Sequence, residues 1–281
     1  MTKNHKNKDK IIQILMIIFS ATNNTQKIGQ EIKKQLEELG AKITIYNIAN
    51  RETRTKALKI NNYDGIIFGF PIYAWRSPKP VRAWISKLSG ENELCAMFFT
   101  YGGIQVGVAH YDTKRLLEQQ GLRVIASAEF VSKHTYNLGG WDLNVDRPNK
   151  VDLDVAREYA RLILNRFTGE DQSISKIPNP HISKRILDKV KLSVDLGIKT
   201  PKFDEEKCNS CGICENICPT GAINYERKKI DRKKCIKCYR CIHHCPENAL
   251  IPPDLREQLE FSKKKNNLTS KIINSKKSKI L

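Results

Sequence analysis

Eight of the nine cysteines fall in two copies of one spacing, Cys208-x-x-Cys211-x-x-Cys214-x-x-x-Cys218-Pro219 and Cys235-x-x-Cys238-x-x-Cys241-x-x-x-Cys245-Pro246. A loop with a thiolate at every third residue wraps three corners of an iron-sulfur cubane, while the fourth cysteine points away and ligates the other cluster. The spacing therefore assigns Cys208, Cys211, Cys214 and Cys245 to one [4Fe-4S] cluster and Cys218, Cys235, Cys238 and Cys241 to a second. Because these ligands cross between the halves, a domain of roughly fifty residues with few large apolar side chains is expected to be held mostly by its metal centres and not to fold without iron.

Structural zinc also uses Cys-x-x-Cys pairs, but it needs four ligands in two pairs. A third cysteine at the same interval, then Cys-Pro, twice over, has no use there. Gly212 in the first loop lets the backbone approach its cluster so that amide N–H groups can donate to sulfur; Tyr239 stands in the second loop instead. His243 and His244 read as surface residues, since every ligand position is filled.

Such clusters belong to a reducing compartment, and with eight cysteines committed no disulfide framework is left. The ninth, Cys95, lies in an apolar run, Leu94 to Phe99, as a buried strand cysteine. The Lys-rich start of the chain followed by Ile11–Phe19 imitates a signal peptide. The apolar stretch is too short for a membrane span and leads into a polar loop and a helical pattern, so it reads as a buried first strand of a cytoplasmic protein.

Residues 11–167 alternate apolar runs with amphipathic stretches: strands near 11–19, 41–48, 64–70, 94–100 and 122–131, and helices near 25–39, 78–89, 109–120 and 151–166. Five β/α units imply an α/β fold with a doubly wound, five-stranded parallel sheet. Residues 168–200 read as a linker with a short helix, 181–196, packed between the domains. The cysteine domain takes 201–252, and the basic tail, 253–281, is expected to be largely disordered.

In a doubly wound sheet, ligands sit beyond the carboxyl ends of the strands. The loop after the first strand, Ser20-Ala21-Thr22-Asn23-Asn24-Thr25, places hydroxyls and backbone amides at a helix N-terminus, a phosphate cradle. Phe-Ser-x-Thr-x-Asn-Thr after a first apolar strand resembles the phosphate loop of flavodoxins, which implies FMN, held here by Ser20, Thr22, Asn23, Asn24 and Thr25. Ala21 and Asn23 depart from that family's pattern. The same resemblance implies two clasps for the isoalloxazine ring, Pro71-Ile72-Tyr73-Ala74-Trp75 after the third strand and Thr100-Tyr101-Gly102-Gly103 after the fourth. The long aromatic loop 132–141 reads either as a flavin cap or as an ordered excursion.

Over residues 11 to about 250 the chain resembles the flavodoxin-ferredoxin fusions, most specifically in the double cysteine motif. That resemblance implies a flavodoxin-like FMN domain followed by a small α+β bacterial-type dicluster ferredoxin domain. The function expected is electron transfer between FMN and the clusters, with reduction of a small substrate at the flavin as a variant. The net charge of +19 suggests a redox partner with an acidic docking surface. Lys, Asn and Ile abound along the whole chain and no nucleic-acid-binding motif is evident, which disfavours a nucleic-acid partner. The other class left open is a non-catalytic iron-sulfur sensor or nucleic-acid-associated protein with a degenerate flavin site. No catalytic acid, base or nucleophile stands out, and neither donor, acceptor nor oligomeric state is legible.

Overall fold

The computed structural model describes residues 11–281; the Lys-rich start of the stretch that imitates a signal peptide lies outside the described residues. The first apolar run forms β1 (Gln13–Ile18), buried along nearly its whole length, as a strand covered on both faces of a parallel sheet must be. Then come α1 (Asn24–Glu38), β2 (Lys42–Asn47), β3 (Gly65–Pro71), α2 (Lys79–Ile85), β4 (Leu94–Tyr101), α3 (Ala109–Gln119), β5 (Arg123–Val131) and α4 (Lys150–Thr168). The helix expected over 78–89 stops at Ile85: Lys87 and Leu88 donate their amides three residues back, to Trp84 and Ile85, and wind the last turn off.

These strands are parallel in the order β2-β1-β3-β4-β5, the flavodoxin-like doubly wound order with its switch point between β1 and β3. Alternate residues of β1 serve opposite cores. Leu15, Ile17 and Phe19 pack with Phe68 and Phe99 beneath Trp84 of α2 and Leu117 of α3. Ile14, Met16 and Ile18 pack on the other face with Phe98, Ile32 of α1 and Tyr159 of α4. Each such side chain contributes about 1.5–3 kcal/mol of transfer free energy. Cys95 is fully buried in β4, and burial pushes its thiol up, as suits an inert core cysteine.

α5 (Lys184–Gly197) follows the linker but does not pack between the domains. It has no buried residue, and Ile186, Leu192 and Leu196 are exposed. Its last turn is held by the buried ammonium of Lys237, which donates to Val194 O at 3.2 Å and Asp195 O at 2.9 Å, a charge placed where the helix dipole favours it. The interdomain space that α5 was expected to fill is taken by the loop after β5.

The cysteine domain is α+β as expected. β6 (Lys202–Phe203) pairs antiparallel with β9 (Leu250–Ile251), and β7 (Ile223–Asn224) with β8 (Lys229–Ile230). α6 (Ile213–Asn216) and α7 (Arg240–His243) each follow one cysteine loop.

The tail departs from the disorder expected of it. α8 (Arg256–Lys265) and α9 (Ser270–Asn274) lead to β10 (Lys279–Ile280), which pairs antiparallel with β5 and makes the sheet six-stranded rather than five. Lysines dominate the tail, but its few apolar and hydroxyl residues do the anchoring. Leu255 and Leu259 are buried, Ser278 accepts from the Val131 amide at 3.0 Å and donates to Asp152 at 2.5 Å, and β10 covers the open edge of β5. Among the described residues no helix is long and apolar enough to cross a membrane.

Candidate metal centres and cofactor cradle

One cavity is lined by Cys208, Cys211, Cys214 and Cys245, with Gly212 and Tyr225. The fourth thiol of that set comes from the second motif. Cys218, from the first motif, lies instead with Cys235, Cys238 and Cys241: burial raises Cys238 to about 12, and the charges of Cys235 and Cys218 push the same way. Both sets are thus brought together across the motifs. Among the described residues no group of three or more His, Cys, Asp or Glu side chains is placed to hold a single metal ion.

The two loops repeat a backbone as well as a spacing. Ser210 (φ 60°) and Gly212 (φ 73°) are left-handed in the first, Lys237 (φ 54°) and Tyr239 (φ 54°) in the second. For a tyrosine this conformation costs about 1–2 kcal/mol. Tyr239 offsets it with a ring only 1 % exposed and a hydroxyl that donates to Lys199 O at 3.1 Å. Backbone amides reach cysteine sulfurs in matching places, Ala222 N to Cys218 Sγ and Ala249 N to Cys245 Sγ, both at 3.3 Å. Such N–H···S bonds favour the reduced, more negative cluster. One side chain breaks the symmetry: Lys228 Nζ donates to Cys208 Sγ at 2.9 Å and Ser210 Oγ at 2.6 Å. His243 and His244, expected at the surface, are half-buried. His244 Nδ1 lies 2.9 Å from Arg240 O, and burial lowers His243, which packs toward Thr135 and Lys133.

Every loop singled out around the flavin lies at the carboxyl end of β1, β3 or β4, so the topology gathers them at one edge of the sheet. Asn23 caps α1 in a left-handed conformation (φ 64°) without a side-chain capping bond, so its own side chain blocks none of the first-turn N–H groups from an anion. Ser20 Oγ accepts from Gln26 N at 3.2 Å. Thr22 is half-buried and Asn23 exposed. Thr25, by contrast, is buried with its hydroxyl 2.7 Å from that of Thr100, so it ties the first loop to the fourth-strand loop.

Pro71 ends β3, and the Ile72 amide donates to Thr100 O at 2.9 Å. Tyr73 and Arg76 then bond each other's backbone across a tight turn in which Ala74 (φ 48°) and Trp75 (φ 67°) are both left-handed. Trp75 sits against Gly107, and Arg76 forks onto Asp112 at 3.0 and 2.6 Å, fixing the turn on α3. Tyr101 is buried at the end of β4. Gly102 lies so close beneath His134 that a Cβ would fall 2.2 Å from its ring, and left-handed Gly103 faces Asn144.

The loop after β5, which sequence left between two readings, joins both domains. Asn24 Nδ2 donates to Lys133 O at 3.0 Å. His134 stacks on Trp141 at 4.8 Å, and Tyr136 meets Tyr239 at 4.9 Å. Tyr73 packs into the apolar cluster that contains Cys238; burial raises its phenol well above the usual value and the charge of Cys238 adds to this. Arg54 donates to Pro219 O, and Arg240 to Asn50 Oδ1 at 3.0 Å. Asn24, Tyr73 and Tyr239 lie in motifs read for other roles, and nothing in the sequence marked them as interdomain contacts; for the loop itself the aromatic content of 132–141 was the signal.

The 4Fe-4S binding domain family matches residues 201–224 and 228–251, one segment for each cysteine motif. An uncharacterized protein of Methanocaldococcus jannaschii, MJ0298, is 33% identical over 148 residues, which is 50% of this chain and 90% of that protein. Among solved structures, an archaeal flavodoxin overlaps 56% of this chain and 98% of its own at 14% identity and a TM-score of 0.42. The flavodiiron core of Flv1 from Synechocystis sp. PCC6803 overlaps 58% of this chain at 18% identity and a TM-score of 0.44, and the overlap spans only 38% of that chain. The strand order, rather than these loose overlaps, carries the assignment of the sheet.

Proposed function

We propose that this chain, which belongs to the same family as the Methanocaldococcus jannaschii protein and joins a flavodoxin-like sheet to two 4Fe-4S binding segments, passes electrons between FMN and two [4Fe-4S] clusters inside one polypeptide. The observation that carries this reading is contact between the two candidate cofactor regions. Tyr73, from the proposed flavin clasp, shares an apolar cluster with Cys238, a proposed ligand of the second cluster, and Tyr136 meets Tyr239 from the same cysteine loop. Fusion at this closeness replaces a diffusional encounter with an intramolecular one.

The ligand sets are those of the crossed spacing, Cys208, Cys211, Cys214 and Cys245 for cluster one, and Cys218, Cys235, Cys238 and Cys241 for cluster two. Their thiols would release their protons on binding iron and ligate it as thiolates. The cradle also fits FMN. The N-terminus of α1, where Asn23 makes no side-chain capping bond, with Ser20, Thr22, Asn23 and Asn24 suits a terminal phosphate. Thr25 and Thr100 hold the cradle in shape, and the buried Ser132 hydroxyl, at the end of β5 beside Lys133, lacks a protein partner. Pro71–Trp75 and Thr100–Gly103 would flank the ring. Bound there, FMN supplies a centre that exchanges either one or two electrons.

The partner is a redox protein with an acidic docking surface, drawn by the net charge of +19, and the compartment is the reducing cytoplasm. Anaerobic purification with iron, sulfide, zinc and flavin analysis tests the reading. About eight irons, equal sulfide and one FMN per chain are expected; zinc in place of iron, or FAD bound tightly with FMN excluded, refutes it.

A further inference from the structure

The geometry points to two inequivalent clusters: Lys228 tunes cluster one to the higher reduction potential and makes it the station where an external one-electron carrier protein exchanges electrons, while cluster two relays them to the flavin. This rests on the proposed function.

Position separates the clusters first. Cys211 is exposed, Cys208 is half-buried, and the cluster-one cavity is lined only by residues between Phe203 and Leu250. Cluster two lies inward, with Cys238 and Cys218 buried and the loops holding Tyr73 and Tyr136 packed on it. An outside carrier therefore meets cluster one first, and the flavin loops meet cluster two.

Charge separates them next. Lys228, in the turn between β7 and β8, bonds a ligand sulfur directly, and among the described residues no carboxylate lies within 4.0 Å of its ammonium. A cation hydrogen-bonded to a cysteine sulfur stabilises the cluster after it gains an electron. Lys237, inside the cluster-two loop, turns its ammonium away to Asp195 at 3.2 Å and the end of α5. Arg240 lies near Cys238 and Cys218 but spends its Nη1 on Asn50 Oδ1 and Ile217 O rather than on sulfur. Burial further disfavours the added negative charge on cluster two. Each transfer moves one electron, makes or breaks no bond, and oxidises the carrier by one electron for each cluster reduced.

The test is an anaerobic redox titration of the full-length holoprotein followed by electron paramagnetic resonance, with a soluble dysprosium chelate added to broaden whichever cluster lies at the surface. The cluster reduced first is expected to be the one that the chelate broadens. Lys228→Met is expected to lower that step by tenfold or more in equilibrium constant, about 59 mV for one electron, to leave the other step in place, and to be rescued by Lys228→Arg. A first-reduced cluster shielded from the chelate, or unchanged potentials in an iron-replete Lys228→Met protein, overturns the inference. If Lys228→Met loses iron, the chelate result on the unaltered protein still decides. Finding the expected order in a protein without FMN would refute the proposed function and leave the tuning by Lys228 standing.

Discussion

The ring of Tyr136 lies 4.9 Å from that of Tyr239, and the two come from different domains. Tyr136 belongs to the loop after β5 and Tyr239 sits between two proposed ligands of cluster two, so this pair holds the second cysteine loop against the loop after β5. In a double-mutant cycle of Tyr136→Leu and Tyr239→Leu, measured by denaturant unfolding of the iron-loaded protein, a coupling of about 0.5–1.5 kcal/mol is expected. A coupling near zero would mean that the domains are held by other contacts.

The crossed ligand sets make opposite forecasts for neighbouring cysteines. Cys214→Ser should damage the cluster built in the Cys208–Cys245 cavity, whereas Cys218→Ser, four residues on, should damage the other. Spectra of each variant after anaerobic loading distinguish the two clusters. Loss of the same signal in both variants would show the ligands are not crossed.

The tail should be structural. Burial alone would raise Asp152, but hydrogen bonds from Arg147, Ser278 and the Asn149 amide together hold its carboxyl below the usual range. Asp152 is fully buried, so Asp152→Ala leaves Arg147 without its partner and is expected to cost about 3 kcal/mol. Ser278→Ala should cost about 1 kcal/mol. Truncation before Ser278 should bare the edge of β5 and promote self-association, read by light scattering.

His134 gives the fold a pH dependence of known sign. Burial lowers it to about 3, and its Nδ1 accepts from the Tyr136 amide at 3.2 Å, a bond available only to the unprotonated nitrogen. The unfolded chain, with a value near 6.5, therefore binds more protons than the folded one across this window. Stability is present above pH 6.5 and is lost as the pH falls toward 3. His134→Gln should flatten that part of the stability profile; an equal loss in both proteins would assign it to the carboxylates.

The five strands and the doubly wound sheet were legible because they rest on a local pattern, continuous apolar runs between amphipathic helices, and the two iron-sulfur segments were legible from thiols at intervals of three. The tail was misread because Lys263 to Lys279 dominates its composition, while two leucines, one serine and a two-residue strand anchor it. α5 was misread because its amphipathic pattern promised a buried face, whereas loop 132–141 fills the space. Thr25 was read as a phosphate ligand from its place in the loop. Its bond to Thr100 depends on how the first and fourth strands approach, which only the folded sheet determines. Lys228 carries no signal of its own in the sequence, where it stands among other basic residues in Arg227-Lys228-Lys229.

Electron exchange within one chain is read by following bound FMN after rapid reduction of the clusters by a low-potential donor under anaerobic conditions. The rate of flavin reduction is predicted to stay constant as protein concentration is varied tenfold, and to fall in Tyr136→Leu. A rate that rises in proportion to protein concentration would rule out intramolecular exchange, because the electron would then be travelling between molecules rather than across the contact between Tyr73, Tyr136 and the second cysteine loop.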